Sequence, residues 1–371
     1  MGKYRVKVVI PAIFLFWTTA GSAQQYTVYK DSSVIRFFRR THGWIASDGA
    51  LSVPLADGRT LWLMGDSHIN DYDSATGTIP ALFQVRNCAL LQPAGDWQWE
   101  HTQTLIGHGP GIKSLFKERP DDHYFIWPVA GFQQGDTVYV YLANLKKTGK
   151  GAWDWGPAGR DLWGKMKFPE MDSVCAYTPL PDLGGIAFGM GFVKDKQSGY
   201  CYAYGSKLDA VGNSRVYAAR FPMDNPNAPW TFWDGKSWSD SVDKIRPITQ
   251  ARTGVFMTHI RDKYVLISAE LSVACDQGRR IFAATSDSPT GPFSTLKPIY
   301  AIDDTLQGHY PFFYTVIPHP EFINDKDELL ITYCINGYQP CVETFKNGRG
   351  NPDYYRPKAI RVPLELIDPE L

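Results

Sequence analysis

The sequence predicts an all-β chain, a single-domain five-bladed β-propeller of four-stranded blades. Three observations predict it. Five β-hairpins recur along the chain, and shorter strands fill the intervals to give a repeat of roughly 60 residues. Beyond the extreme N-terminus, no window keeps a helical period of apolar residues for three turns.

The first hairpin, residues 47–68 (SDGALSVPLADGRTLWLMGDSH), organises the rest. Val53 and Leu55 alternate with smaller or polar residues, Asp57-Gly58 supplies the turn, and Leu61, Leu63 and Met64 bring the chain back. Counting outward from that turn sets Asp48 opposite Ser67 and Asp66 opposite Gly49. Two carboxyls would then share the open end of one hairpin, where directly opposed residues lie about 5 Å apart. Asp and Gly are also ordinary turn residues, which is the structural alternative for either acid taken alone.

The shape recurs four times: residues 124–145 turn at Gly135-Asp136, 187–206 at Ser198-Gly199, 254–270 at Asp262-Lys263, and 312–336 through a longer turn, 324–327. Outer strands are read at 88–91 with 97–101, 174–178, 216–221 with 231–233, 281–286 and 359–362. Residues 26–38 are the strand expected to complete the last blade and close the ring. A β-sandwich with similar strand spacing is the alternative. No linker or low-complexity segment divides the chain, so residues 24–371 are read as one catalytic domain.

Residues 1–23 have the form of a cleavable signal peptide. Lys3, Arg5 and Lys7 precede an apolar run at 8–17, and Gly21-Ser22-Ala23 offers a small-residue cleavage site. The run is too short to span a membrane, and no second apolar span follows. The protein is therefore expected to be secreted or periplasmic. Six cysteines (Cys88, Cys175, Cys201, Cys275, Cys334 and Cys341) permit disulfides in that setting, with bridges and buried free thiols both open.

The 38 basic and 38 acidic residues balance, which argues against nucleic acid or an anionic membrane as the partner. The 14% aromatic content supplies both core and sugar-stacking surface. The chain carries no Gly-x-Ser-x-Gly elbow, phosphate-binding glycine loop, His-Glu-x-x-His or dinucleotide fingerprint. No cofactor is expected and no metal motif is present. The sequence assigns no oligomeric state.

If each hairpin is the inner pair of its blade, one rim of the central channel collects Asp48, Asp66, Trp127 and Asn144, then Glu270, and from the last blade His319, Glu321 and Asn336. Carboxylates for catalysis, amides and imidazole for hydroxyls, and an indole for a sugar face make up the inventory of a carbohydrate site. Each has a structural alternative: a surface ion pair for Glu270, a satisfied turn histidine for His319, core packing for Trp127. His42 and His68 flank the acidic hairpin as candidates for substrate contact, and His259 reads as structural. The glycine-rich run KGAWDWGPAGRDLWGK, with Trp153, Trp155 and Trp163, reads as an exposed loop over the rim.

The segments DGALSVPLADGRTLWLMGDSH, YFIWPVAGF with VYVYL, GYCYAYG with VYAARFP, WTFWDGKSW, SDSPTGPFS and HPEFINDKDELLITYCIN resemble the endo-D-arabinanase family of glycoside hydrolases, in that family's order, over most of residues 43–365. The resemblance implies a five-bladed propeller, secretion by a bacterium, and cleavage of α-D-arabinofuranosyl links such as those of mycobacterial arabinogalactan and lipoarabinomannan. It maps the acidic pair onto Asp48 and Asp66. Ser67 departs from the commoner Gly-Asp-Thr form. The expected activity is internal cleavage of a polysaccharide; an exo-acting arabinofuranosidase and a non-catalytic sugar-binding propeller are the rivals.

Overall fold

The computed structural model describes residues 27–117, 119–150, 154–337 and 341–371. The expected signal peptide and Trp153 lie outside them. Five antiparallel sheets form the five blades, and each begins with one of the hairpins read from the sequence. The inner pairs are Trp44–Pro54 with Thr60–Ile69, Tyr124–Gln134 with Thr137–Lys147, Ala187–Asp195 with Tyr200–Leu208, Gly254–Ile260 with Lys263–Ala269, and Phe312–His319 with Glu328–Asn336.

The ring closes with a short strand, Tyr29–Lys30, which pairs with Lys358–Pro363 of blade five. The rest of the expected closing strand is instead a helix, Ser32–Phe37. The Asp31 carboxylate caps it by accepting from the backbone N–H of Ser33 and Val34 at 3.0 and 3.2 Å, and Arg361 holds that carboxylate at 2.8 Å. Phe37 and Phe38 then bury against Trp62, with ring centroids 6.0 and 5.4 Å away.

Two further expectations are corrected. The outermost strand of blade one is Gln103–Leu105, while Trp99–His101 is a 3-10 turn. In blade two, Leu162–Lys167 is the third strand rather than part of an exposed loop, and Trp163 is buried. A Cβ at Gly164 would come within 2.7 Å of the Leu142 side chain, so this glycine permits close strand packing.

Five apolar clusters occupy the five blade-to-blade interfaces. Val53 and Leu63 meet Val140 and Leu162 between blades one and two, and Phe132 and Trp163 meet Phe221 and Trp230 between two and three. Tyr202 and Val216 meet Leu266 between three and four, Ile267 and Ile281 meet Ile331 and Ile360 between four and five, and Trp62 and Leu90 meet Leu330 between one and five. Each blade buries both faces, which locks the ring and leaves the central channel to carry function. A disulfide, Cys275–Cys341, joins the segment after the inner pair of blade four to that after the inner pair of blade five. Cys88, Cys175, Cys201 and Cys334 are free.

Candidate active site

The innermost strands do not run as regular ladders. Register shifts fall between Ser47 and Gly49, Pro128 and Ala130, Phe188 and Phe192, and Tyr314 and Ile317; only blade four pairs without a break. At each break a residue is freed from the alternation and the strand bends, which is how bulges re-aim side chains. The freed segments, with Asp48, Val129, Met190 and Thr315, all line one cavity of about 770 Å³ at one mouth of the channel. Thr315 there adopts φ +52°, an uncommon setting for a β-branched residue.

The shift in blade one corrects the register expected from its turn. Ser47 faces Ser67 and Gly49 faces Met64, so Asp48 alone opposes both Gly65 and Asp66. The two acids still meet at the same end of the hairpin, and both line the cavity. Gly65 makes room for the pair: a Cβ on it would sit 2.0 Å from Oδ1 of Asp48.

The two carboxyls have different surroundings. Asp66 is buried, and each of its oxygens accepts one bond: Oδ1 from the Trp127 indole at 2.8 Å and Oδ2 from Nη1 of Arg86 at 2.8 Å. Among the described residues no cation pairs with Asp48, which receives hydroxyl bonds from Tyr314, at 3.1 Å to Oδ2, and from Tyr355. Burial and the neighbouring Asp66 push the Asp48 carboxyl up to about 7, against the opposing pull of the tyrosine bonds. Burial also raises Asp66, but Arg86 and Trp127 oppose the rise. Of the two, Asp48, with no cation paired to it among the described residues, is the carboxyl set to hold a proton, and Asp66, bonded to Arg86, is the one set to carry charge.

Aromatic rings frame the pair. Trp127 meets Trp155 edge to face at 5.0 Å, and Trp155 is 41% exposed at the rim. Phe83 stands beside Arg86, whose guanidinium lies 4.6 Å from its ring centroid. Phe312 stacks on Tyr314 at 4.4 Å.

Of the residues expected at the rim, Asp48, Asp66 and Trp127 come together here, and Asn144 lines an adjoining cavity. The others do not. His319 and Glu321 lie at the opposite mouth, because the inner strand of blade five enters at Phe312 and reaches His319 only after running the length of the channel. There Ser52 Oγ pairs with His319 Nδ1 at 2.6 Å and donates to Glu321, while Thr332 meets His319 Nε2 at 2.8 Å. Leu51, Phe256 and Ile317 border both mouths and form the layer between them.

Glu270 is a structural brace. It binds Arg280 Nε at 2.6 Å and accepts from the backbone N–H of Arg279 and Arg280. Burial works against its charge, but these bonds outweigh burial and hold its carboxyl below the usual range. His68 is fully buried, faces Ala46 across the hairpin and does not line the cavity that holds the acids. Asn336 is fully buried and turns its Oδ1 to the Gly337 N–H at 2.8 Å.

Sequence reasoning missed Arg86, Tyr314 and Tyr355. Tyr314 sits near the entry of an inner strand, as Asp48 does in blade one, and that equivalence was a usable signal. Arg86 and Tyr355 reach the pocket from outside the inner pairs, where periodicity carries no information. Among the described residues, no group of three or more His, Cys, Asp or Glu side chains is arranged to hold a metal, and no helix is long and apolar enough to cross a membrane.

The fold and the site define a five-bladed propeller with a paired-carboxyl pocket at one mouth of its channel. The chain belongs to the family described as Domain of unknown function (DUF5005), which it matches over residues 31–364. It is similar in structure to a Bacteroides ovatus protein provisionally described as a hydrolase, with 18% identity and a TM-score of 0.72 over 96% of this chain and 97% of that one. Weaker likenesses include an α-L-arabinofuranosidase from Lactobacillus brevis, with 14% identity and a TM-score of 0.49 over 86% of this chain and 91% of that one. Another is the catalytic domain of a GH62 α-L-arabinofuranosidase from Coprinopsis cinerea, with 12% identity and a TM-score of 0.48 over 87% and 92%. Among curated proteins, none matches the chain.

Proposed function

We propose that the protein is an exported glycoside hydrolase that cleaves internal α-D-arabinofuranosyl links of an arabinan. The observation that carries the hydrolase reading is the asymmetric pair: Asp48, pushed up to about 7 by burial and its neighbour, beside Asp66, bonded to the Arg86 guanidinium in the same pocket. Glycoside hydrolysis needs one carboxylic acid to protonate the leaving oxygen and one carboxylate to attack the anomeric carbon or activate water. Asp48 takes the first role and Asp66 the second. Trp127 orients Asp66 and, with Trp155, offers an aromatic wall to a sugar face. The choice of D-arabinan rests on the resemblance of the Gly-Asp-Ser hairpin and the His-Pro-Glu segment. Export is supported by the form of residues 1–23 and is compatible with the Cys275–Cys341 bridge.

The test is product release from purified mycobacterial arabinogalactan by wild type, Asp48→Asn and Asp66→Asn, each checked for folding. A ladder of arabino-oligosaccharides from wild type, abolished by both substitutions, is expected. Single arabinose units would replace internal cleavage by the exo-acting reading. Unchanged turnover in both variants would remove the catalytic pair, and sugar binding without any turnover would favour the non-catalytic reading.

A further inference from the structure

We propose that the cavity adjoining the carboxyl pocket is a subsite for an anionic substituent carried by the glycan, a uronate carboxylate or a sulfate ester. The assignment rests on the glycosidase reading for the sugar itself, while the charge preference stands on the cavity. This second cavity holds about 440 Å³ and shares Phe83 and Arg86 with the first, so Arg86 forms the wall between them. Among the described residues, four more cations line it, Lys113, Lys117, Arg119 and Lys147, against one carboxylate, Asp122. Asp122 binds Lys117 at 2.5 Å and also faces Lys147. Among the described residues, neither Lys113 nor Lys147 forms an ion pair.

The surplus is local, since the whole chain has equal numbers of basic and acidic residues. Three of the cations come from the loop that joins blades one and two, and Lys147 ends the second strand of blade two. The arginines are steadied by rings: Arg119 lies 4.5 Å from the centroid of Tyr124 and Arg86 lies 4.4 Å from that of Phe125. Arg86 gives Nη1 to Asp66, one of the five N–H donors of a guanidinium. Gathering these charges in one concavity is unfavourable for the empty protein and gains nothing from a neutral sugar, whereas an anion relieves the repulsion. A substituent here would lie one sugar or less from Asp66, with Arg86 touching both.

The experiment is calorimetric binding to the intact protein of glucuronate, galactose 6-sulfate, inorganic sulfate and galactose, repeated with the Lys113→Glu, Lys147→Glu double variant and at high salt. Because binding is read without turnover, failure to hydrolyse arabinan would not decide it. At least tenfold tighter binding of a charged sugar than of galactose is expected, lost in the double variant and weakened by salt; whichever charged sugar leads identifies the substituent. Equal affinity for charged and neutral sugars, or a preference that survives the double substitution, would overturn the proposal. Inorganic sulfate binding as tightly as either charged sugar would reduce the cavity to an anion site with no role in glycan recognition.

Discussion

Arg86 donates through Nη1 to Oδ2 of Asp66 at 2.8 Å, across the wall between two cavities. This charge-assisted bond opposes the burial that would otherwise protonate Asp66. Arg86→Ala is therefore expected to lower kcat/KM on arabinan by roughly 10- to 100-fold, the worth of one charged hydrogen bond. It should also move the acidic limb of the pH profile upward, because Asp66 would need a higher pH to ionise. Arg86→Lys restores the charge without the planar fork, so it should recover the pH limb better than the rate. An unmoved acidic limb in Arg86→Ala would remove Asp66 as the ionised partner.

Gly65 carries the second prediction. A methyl group there would meet Oδ1 of Asp48 at 2.0 Å, closer than real side-chain carbons approach an oxygen. Gly65→Ala must displace the Asp48 carboxyl while leaving the cluster between blades one and two intact. The expected result is a fall in kcat of about 100-fold, the usual scale for losing a positioned acid, with circular dichroism and melting close to wild type. Wild-type turnover in a folded Gly65→Ala would show that Asp48 is not held where the bond breaks.

Much of this arrangement is legible in the sequence, and the failures share one cause. The five hairpins, their turns and the meeting of Asp48 with Asp66 follow from alternation and turn chemistry, which are local. The register of blade one does not follow, because Gly49 and Ala50, at φ +99° and +61°, build a bulge that simple counting passes over. Trp163 reads as loop because its neighbours are turn-forming glycines, yet Gly164 serves strand packing. His319 and Glu321 are polar and clustered as expected but stand at the other mouth, since seven residues of strand carry the chain roughly 23 Å along the channel. Arg86 and Tyr355 depend on how distant segments fold back, which no local pattern encodes.

His319 supplies the third prediction. Burial pushes its imidazole down to about 3, so it is neutral across the working pH range and acts by bonding Ser52 and Thr332. His319→Ala would take the imidazole partner from the Thr332 hydroxyl, leave Ser52 with Glu321 alone, and open a cavity under Trp62, whose ring lies 5.1 Å away. A loss of roughly 2–4 kcal/mol of stability is expected, with kcat/KM near wild type below the melting transition. A large loss of activity without a loss of stability would return His319 to the catalytic machinery.

Asp48 ties activity and stability to pH in the same sense, both falling as its carboxyl ionises. Its carboxyl stands at about 7 in the folded protein against an ordinary 3.8, so the folded state holds a proton that the unfolded chain releases. Stability from this group is present below the ordinary value and is lost as pH rises through about 7. Above that point two charged carboxyls share the pocket and the proton for the leaving oxygen is gone. Asp48→Asn should therefore abolish turnover and yet raise stability at pH 8 by up to roughly 4 kcal/mol, at about 1.4 kcal/mol for each pH unit between the folded and unfolded values, while changing little at pH 4. Paired urea titrations at the two pH values measure this difference directly, and the basic limb of wild-type kcat/KM should fall near the same pH. Equal stability of wild type and Asp48→Asn at pH 8 would mean that Asp48 ionises as an ordinary aspartate and cannot serve as the proton donor.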